Sequence, residues 1–267
     1  MRNFRRAPAA TALLLYLAAL LAGFLAPVSY EVQEREHLDE PPNARFFLGT
    51  DGLGRDRFAR LLYGTQTSLL LAPAAALLST MLATVAGVGF GYAGGRWLKG
   101  FLFGVDLIVC TPWLFLLLLA RVLLPLNVPP WISVGLTFAL LGLLGWAGGV
   151  RVILSATQRV RSADFVVQAR AAGCSPWRLL FVHVIPNVRP AVLAQFWTAV
   201  PLFVLAEANL SMLGLGVSEP LPSLGNLLTE LQNYAAVQEQ PWLLAPAGVL
   251  ILATAAFQFL LPKEASS

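Results

Sequence analysis

Charge is scarce in this sequence. Only 12% of its 267 residues are Asp, Glu, Lys or Arg, against roughly 25% in a soluble domain. With 57% hydrophobic residues and a mean hydropathy of +0.71, the chain lacks the polar surface that a water-soluble fold needs. Histidine and cysteine are nearly missing, with two of each. His37 and His183 stand apart without ligand spacing, so each reads as a surface or helix-end histidine rather than a metal ligand. Cys110 sits in an apolar segment and Cys174 in a basic loop, which argues against a disulfide between them. A phosphate cradle is missing too. Gly49 and Gly54 have P-loop spacing, but Arg55-Asp56 stand where Lys-Ser/Thr is required. The stretch Asp51 to Asp56 lacks the alternating oxygen ligands of a calcium-binding loop. An intramembrane enzyme would need a Ser/His or paired-Asp constellation. His183 lies in a loop, and Asp106 has no partner aspartate at its depth.

What is there instead is long apolar runs. A membrane helix needs roughly 17–25 mostly apolar residues. Six segments qualify or nearly do: Ala7–Val28, Ser68–Tyr92, Phe101–Leu124, Trp131–Val150, Ala191–Leu213 and Pro241–Leu261. They are helices, because hydrocarbon cannot satisfy exposed backbone groups and a barrel would show short alternating strands. The expected fold class is therefore all-α, a polytopic membrane protein of about six spans. The run after Arg6 carries no charge before Glu31 and shows no clear small-x-small cleavage site, so it reads as an uncleaved first span rather than a signal peptide. The chain divides into this span with its loop (1–67), a membrane domain (68–261) and a short tail (262–267).

Lys and Arg set the orientation. With the N-terminus inside, twelve of the 18 basic residues fall inside and six outside. This favours both termini in the cytoplasm. The loop Ser29–Thr67 is then external, as is Gly214–Gln240, which has no basic residue at all. The loop Arg151–Pro190 is internal, with six arginines against Asp164 alone.

That internal loop reads as two short helices. Ser162 is a candidate N-cap, Asp164 lies in the first turn where the helix dipole favours a carboxylate, and Gly173 suits the position just past the end. Ser175-Pro176 restarts the chain as N-cap and N1, and Pro186 and Pro190 are expected to end the second helix. Phe165, Val166, Ala169 and Ala172 offer an apolar face. Two readings stand on physics alone: a hairpin that docks on a partner chain, or a basic amphipathic hairpin on anionic lipid. On the other side, Phe47-Leu-Gly-Thr-Asp-Gly-Leu-Gly-Arg-Asp-Arg-Phe-Ala-Arg60 reads as a glycine-rich turn and a short helix. Asp56 would cap this helix, Gly64 would end it, and Phe58, Leu61 and Leu62 would face the membrane surface.

Three motifs carry a family resemblance. Gln168-Ala-Arg-Ala-Ala-Gly173 followed by Val184-Ile-Pro-Asn187, with Gly173 and Pro186 thirteen apart, resembles the EAA loop of bacterial ABC importer permeases. The segment Phe47–Arg60 resembles the stretch before the second span in C-type dipeptide and oligopeptide permeases. Glu207-Ala-Asn-Leu-Ser-Met-Leu-Gly-Leu-Gly216, then Pro220-Leu-Pro-Ser-Leu-Gly-Asn226, is similar to the same peptide/nickel branch, with Met212 where Phe is usual. Val167 stands at the EAA glutamate and Gln168 at its first alanine, a departure that bears on any Glu-specific contact.

The resemblance implies a type I permease fold in the bacterial inner membrane and a chain without its own catalytic site. It implies coupling to ATPase subunits through Gln168, Ala169, Arg170, Ala171, Gly173, Ser175 and Pro186. The external motif comprises Gly49, Thr50, Asp51, Gly54, Arg55 and Asp56. The implied partners are a second, similar permease forming a heterodimer, two ABC ATPases and an extracytoplasmic solute-binding protein. No cofactor belongs to this chain, ATP-Mg being bound by the ATPases, and no nucleic acid is expected. Peptides, nickel and other chelates share this frame.

Candidate pathway residues are Asp106, Glu207 and Asn209. A carboxylate in a span is costly and faces protein or water, so Asp106 and Glu207 either line the path or serve helix packing, paired with a hydroxyl or an arginine. Gly87-x-x-x-Gly91-x-x-x-Gly95 and Gly145-x-x-x-Gly149 serve either packing within the chain or contact with a second permease. The alternative function, an ion-coupled secondary transporter, expects inverted repeats and intramembrane charge clusters. No obvious repeat is visible here.

Overall fold

In the computed structural model, residue 17 and residues 21–123 and 129–259 are described. Most of the expected first span, and the tail, lie outside these residues. After a single turn, α1 (Ala22–Leu25), and a long irregular loop, α2 runs from Arg57 to Ala93. Then come α3 (Gly95–Cys110), α4 (Trp113–Val122), α5 (Pro130–Leu144), α6 (Trp146–Arg161) and α7 (Asp164–Ala171). The chain ends with α8 (Pro176–Arg178), α9 (Ile185–Met212), α10 (Leu224–Leu227), α11 (Tyr234–Glu239) and α12 (Ala245–Phe259). Among the described residues the only β pairing is an isolated bridge, Thr50 to Asp56. Among the described residues four stretches are long and apolar enough to cross a membrane: Arg57–Ala93, Pro130–Arg161, Pro176–Met212 and Pro241–Gln258.

Helix α2 is the spine. Its 37 residues span ~55 Å at ~1.5 Å per residue, well beyond a hydrocarbon core of ~30 Å. It therefore runs across the expected boundary at Ser68 and straight through Gly64, which does not end a helix. Gly64 is instead a point of close approach, since a Cβ there would sit 3.1 Å from both the Ser223 carbonyl carbon and Leu227 Cδ1. Leu61, expected at the membrane surface, is buried in the core with Leu69, Phe138, Val200, Phe203 and Leu224.

Proline and glycine decide where the other spans bend. The expected third span breaks at Thr111-Pro112, where Thr111 is extended because the following proline disfavours the helical region. The fourth expected span does not stop at Val150. Gly145 makes a slight hinge and the helix continues to Arg161, so Arg151, Arg159 and Arg161 are helical rather than in a loop.

Pro186 and Pro190 do not end a separate helix. α8, a π-helical turn over Leu179–Val184 and α9 form one continuous run of 37 residues from Pro176 to Met212. The wide turn shifts the hydrogen-bond register just ahead of Pro186, so the missing proline N–H falls where the ladder already changes step.

The glycine stripes serve packing within the chain. A Cβ on Gly87 would meet Ile153 at 3.1 Å, one on Gly91 Thr157 at 3.0 Å, and one on Gly145 the Phe203 ring at 2.5 Å. These glycines let α2 lie against α6 and α9 against the α5–α6 hinge, the close approach that small residues allow between membrane helices. Gly95 belongs to the stripe by spacing only, because a Cβ there would touch nothing within 4 Å.

Candidate functional site

At one end of α2, α6 leads into a hairpin. Ser162 does not cap α7. It closes α6, its hydroxyl donating to the carbonyls of Gln158 and Arg159, and Ala163 takes the N-cap place without a side-chain bond. Asp164 does lie in the first turn of α7. The C-terminus is a Schellman arrangement: the Cys174 N–H donates to Ala169 O at 3.1 Å, the Gly173 N–H to Arg170 O at 3.0 Å, and Gly173 has φ +81°. Ser175 then caps α8, accepting from the Arg178 N–H at 3.3 Å.

Val166, fully buried, anchors this hairpin to the bundle, and Tyr92 Oη donates to Pro176 O. The remaining surface faces outward. Gln168, Arg170, Ala171, Gly173, Ser175 and Pro186 are exposed and Ala169 is half-buried. Phe165, Val167, Trp177 and Phe181 add exposed apolar area, with Trp177 and Phe181 stacked at 6.0 Å. The structure thus places six of the seven residues named from the EAA resemblance around one outward turn. Pro186 lies a helical run away on α9.

At the opposite end of α2, the glycine-rich loop forms a clamp. Asp56 caps α2, accepting from the N–H groups of Phe58 at 2.8 Å and Ala59 at 3.4 Å. Burial pushes its carboxyl up against the pull of those two bonds. Asp51 accepts from the backbone N–H of Leu53 and Arg55, both at 2.9 Å, and from Arg55 Nε at 2.7 Å. The Thr50 hydroxyl donates to His37 O and accepts from the Glu40 N–H. Gly49 and Gly54 have φ +70° and +74°, and a Cβ on either would lie within 2.2 Å of a carbonyl oxygen of the same loop. All six residues of the external motif therefore build one tight turn.

The sequence reading missed what this turn holds. Arg55 and Arg60 both reach Glu219, in the loop after α9, at 2.7 and 2.8 Å. Burial pushes the Glu219 carboxyl up, but Arg60 and Arg55 outweigh it and hold the group below the usual carboxylate range. Arg57 pairs with Glu230 and donates to Thr50 O. The signal was available as acids, Glu219 and Glu230 among them, in a stretch without a single Lys or Arg.

The three candidate pathway residues do not share a site. Asp106 on α3 forms a half-exposed ion pair with Arg151 on α6. Asn209 is exposed on α9. Glu207 is fully buried, so its carboxylate lines no surface of this chain. It accepts hydrogen bonds from the hydroxyls of Ser211 and Ser223, both at 2.7 Å, and from Ser68 at 3.5 Å.

The family model described as binding-protein-dependent transport system inner membrane component matches residues 56–261. The oligopeptide transport system permease protein OppC of Mycobacterium bovis is 33% identical over 258 residues, covering 94% of this chain and 87% of that protein. OppC of Bacillus subtilis is 30% identical over 240 residues, covering 90% and 76%. The dipeptide transport system permease protein DppC of the same organism is 30% identical over 213 residues, covering 80% and 65%.

Proposed function

This chain belongs to the inner membrane components of binding-protein-dependent transport systems and is a permease subunit of an ABC importer, and we propose that it passes peptides and is driven by ATPase subunits through the α7–α8 hairpin. Its helical bundle is the type I permease fold of that family. The names of the relatives support peptides as the substrate class.

One observation carries the assignment of the hairpin. The turn at Gly173 points away from the bundle with small residues around it, while Val166 and the continuous helix Pro176–Met212 fix its base rigidly. A partner can approach such a turn closely, and a push on it is not absorbed by a joint. The residues assigned to that contact are Gln168, Ala169, Arg170, Ala171, Gly173 and Ser175, with Pro186 keeping the register of the driven helix.

In this reading the hairpin end is cytoplasmic, both termini lie on that side, and the Asp51–Arg60 clamp is extracytoplasmic. A second, similar permease completes the pathway as a heterodimer, two ATPase subunits hold ATP-Mg, and a solute-binding protein delivers the peptide. No observation favours ion-coupled transport over this arrangement. The test is uptake of a labelled oligopeptide into proteoliposomes holding the permease pair, ATPases and binding protein. ATP-dependent uptake that disappears when this chain is left out is expected. Uptake that persists without it, or that follows an ion gradient without ATP, overturns the reading.

A further inference from the structure

Glu207 is the most deeply placed carboxylate among the described residues, and the proposed pathway makes no use of it. Its surroundings are donors only. Besides the hydroxyls of Ser211, Ser223 and Ser68, the backbone N–H of Gly225 donates to it. Two of those hydroxyls have their acceptor side occupied: Ser223 Oγ accepts from the Asn226 N–H at 3.1 Å, and Ser68 Oγ from the Leu224 N–H at 3.0 Å. No cation pairs with Glu207 among the described residues. The buried carboxyl group is met by converging donors and by no cation, a polar cluster that persists only where all of the donors are held in place.

The donors come from three elements. Ser211 shares α9 with Glu207, Ser68 is on α2, and Ser223 and Gly225 belong to the buried turn Ser223–Gln232 that caps the loop end of the bundle. The close fit depends on glycine. A Cβ on Gly225 would fall 2.7 Å from Glu207 Oε1 and 2.8 Å from Ala208 Cα. A Cβ on Gly216 would collide with Ser211. Each end of the motif Glu207–Gly216 and of Ser223–Asn226 thus has a place in a single latch.

The geometry points to Glu207 as a positioning residue that fastens the buried turn Ser223–Gln232 to α9, so that a helix pushed at the hairpin carries the opposite end of the bundle with it. This rests on the reading of the hairpin as the ATPase contact. Glu207 lies on the same unbroken run that starts at Pro176, ~45 Å away at ~1.5 Å per residue. The π-helical turn and Pro201 leave this run continuous, so motion at one end reaches the carboxylate. Among the described residues the carboxylate grips the turn through Ser223 and Gly225, and the far end of the turn is held to α9 by Gln232 Nε2, which donates to the Met212 carbonyl at 2.8 Å. Arg57–Glu230 and Arg60–Glu219 tie the flanks of the same segment to α2 instead.

Two serines separate a latch from a merely buried carboxylate. Ser211 and Ser223 make equal 2.7 Å bonds to the same oxygen, but only Ser223 joins different elements. The complex with both permeases, the ATPases and the binding protein is assayed for basal ATPase, binding-protein-stimulated ATPase and peptide uptake. Ser223→Ala is expected to assemble, to keep basal ATPase, and to lose stimulation and uptake by about tenfold, the scale of one lost buried hydrogen bond. Ser211→Ala is expected to keep both. Asn226→Ala, which breaks the other half of the capping box around Ser223 and spares the carboxylate's donors, controls for loss of the cap. Glu207→Gln, whose amide nitrogen would face donors, should match Ser223→Ala.

Equal losses in Ser211→Ala and Ser223→Ala, wild-type stimulation in Ser223→Ala, or an equal loss in Asn226→Ala each overturn the latch. Should Glu207→Gln fail to assemble, the serine pair decides alone. A wild-type complex that takes up peptide with ATP while Ser223→Ala does the same sinks the latch only. A wild-type complex with no ATP-driven uptake sinks the permease reading beneath it as well.

Discussion

The guanidinium of Arg60 holds both carboxylate oxygens of Glu219, at 2.8 Å from Oε1 and 3.3 Å from Oε2, across 159 residues of chain. Arg60 is almost fully buried at the start of α2, while Glu219 is half exposed in the loop after α9. The pair joins the two halves of the loop end, and Arg55 and Asp51 complete the group.

Loss of Glu219 should therefore be felt at Arg60. Glu219→Gln leaves the buried Arg60 cation with the 3.4 Å contact to Asp51 as its one remaining ion pair, and an under-paired buried charge costs on the order of 1–3 kcal/mol. The melting temperature of the detergent-purified protein should fall. The pH dependence has a definite sign. Glu219 titrates below the usual carboxylate range in the fold, so its contribution is fully present above the ordinary Glu pKa of about 4.3 and is lost as pH falls below it. Asp56, raised by burial, works in the opposite direction. The difference in melting temperature between wild type and Glu219→Gln should be constant near neutral pH and shrink in acid. A difference that grows in acid would contradict the pairing.

Gly145 and Gly148 form a matched pair on the α5–α6 hinge. Alanine at Gly145 would press its Cβ into the Phe203 ring, 2.5 Å from Cζ, whereas alanine at Gly148 would touch nothing within 4 Å. Phe203 is among the most buried side chains and cannot swing away. Overpacking of this kind costs about 1–3 kcal/mol. Gly145→Ala should melt lower than wild type and Gly148→Ala should not. Equal melting of the two variants would remove close packing as the reason for the glycine stripe.

How far the sequence was legible depends on the kind of signal. Apolar runs located four of the six expected spans among the described residues, because the bilayer imposes length and composition. Asp56, Gly173, Ser175 and Pro176 could be placed because capping and left-handed turns are local. The readings that went astray are those where tertiary contact overrides a local breaker. Gly64 looks like a helix end and is a close-approach point, and Pro186 looks like a stop and sits at a register shift. Ser162 looks like an N-cap and closes the helix before it. Arg60 and Glu219 are 159 positions apart and Ser68 and Glu207 139, and even Ser223, 16 positions from Glu207, reaches it only through a buried turn, so acids without a nearby base could be noticed but their partners could not be named. A resemblance could mark their motifs but not their contacts.

Sidedness follows from α2, whose two ends carry the clamp and the hairpin. In a background with Cys110 and Cys174 replaced, both being free thiols, single cysteines at exposed Asn43 and Ser162 are to be treated with a membrane-impermeant maleimide. In intact cells Asn43→Cys should react and Ser162→Cys should react only after permeabilisation. Reaction of both from the same side would overturn the proposed orientation.

The hairpin turn offers the sharpest test of coupling, because two glycines share its backbone conformation and only one lies on it. Gly173 has φ +81° and Gly95 has φ +64°, and a Cβ on either meets nothing within 4 Å. A side chain at each position meets the same left-handed strain, about 1–2 kcal/mol. Both glycines lie at the same end of the bundle and outside its packed core. Tryptophan at either position should leave the helices inserted and the protein purifiable. The two variants should then part. At Gly173 the indole occupies the space into which a partner must come, and loss of fit at the centre of an interface costs a few kcal/mol, on the order of a hundredfold in affinity. Gly173→Trp should lose co-purifying ATPase subunits and peptide uptake, while Gly95→Trp keeps both. If Gly173→Trp binds the ATPases as wild type and transports, the hairpin is not where they act. Its exposed Trp177, Phe181, Arg170 and Arg178 would then fit a bed of anionic lipid, and vesicles containing anionic lipid should bind the variant more tightly than wild type, since an added indole favours the headgroup region.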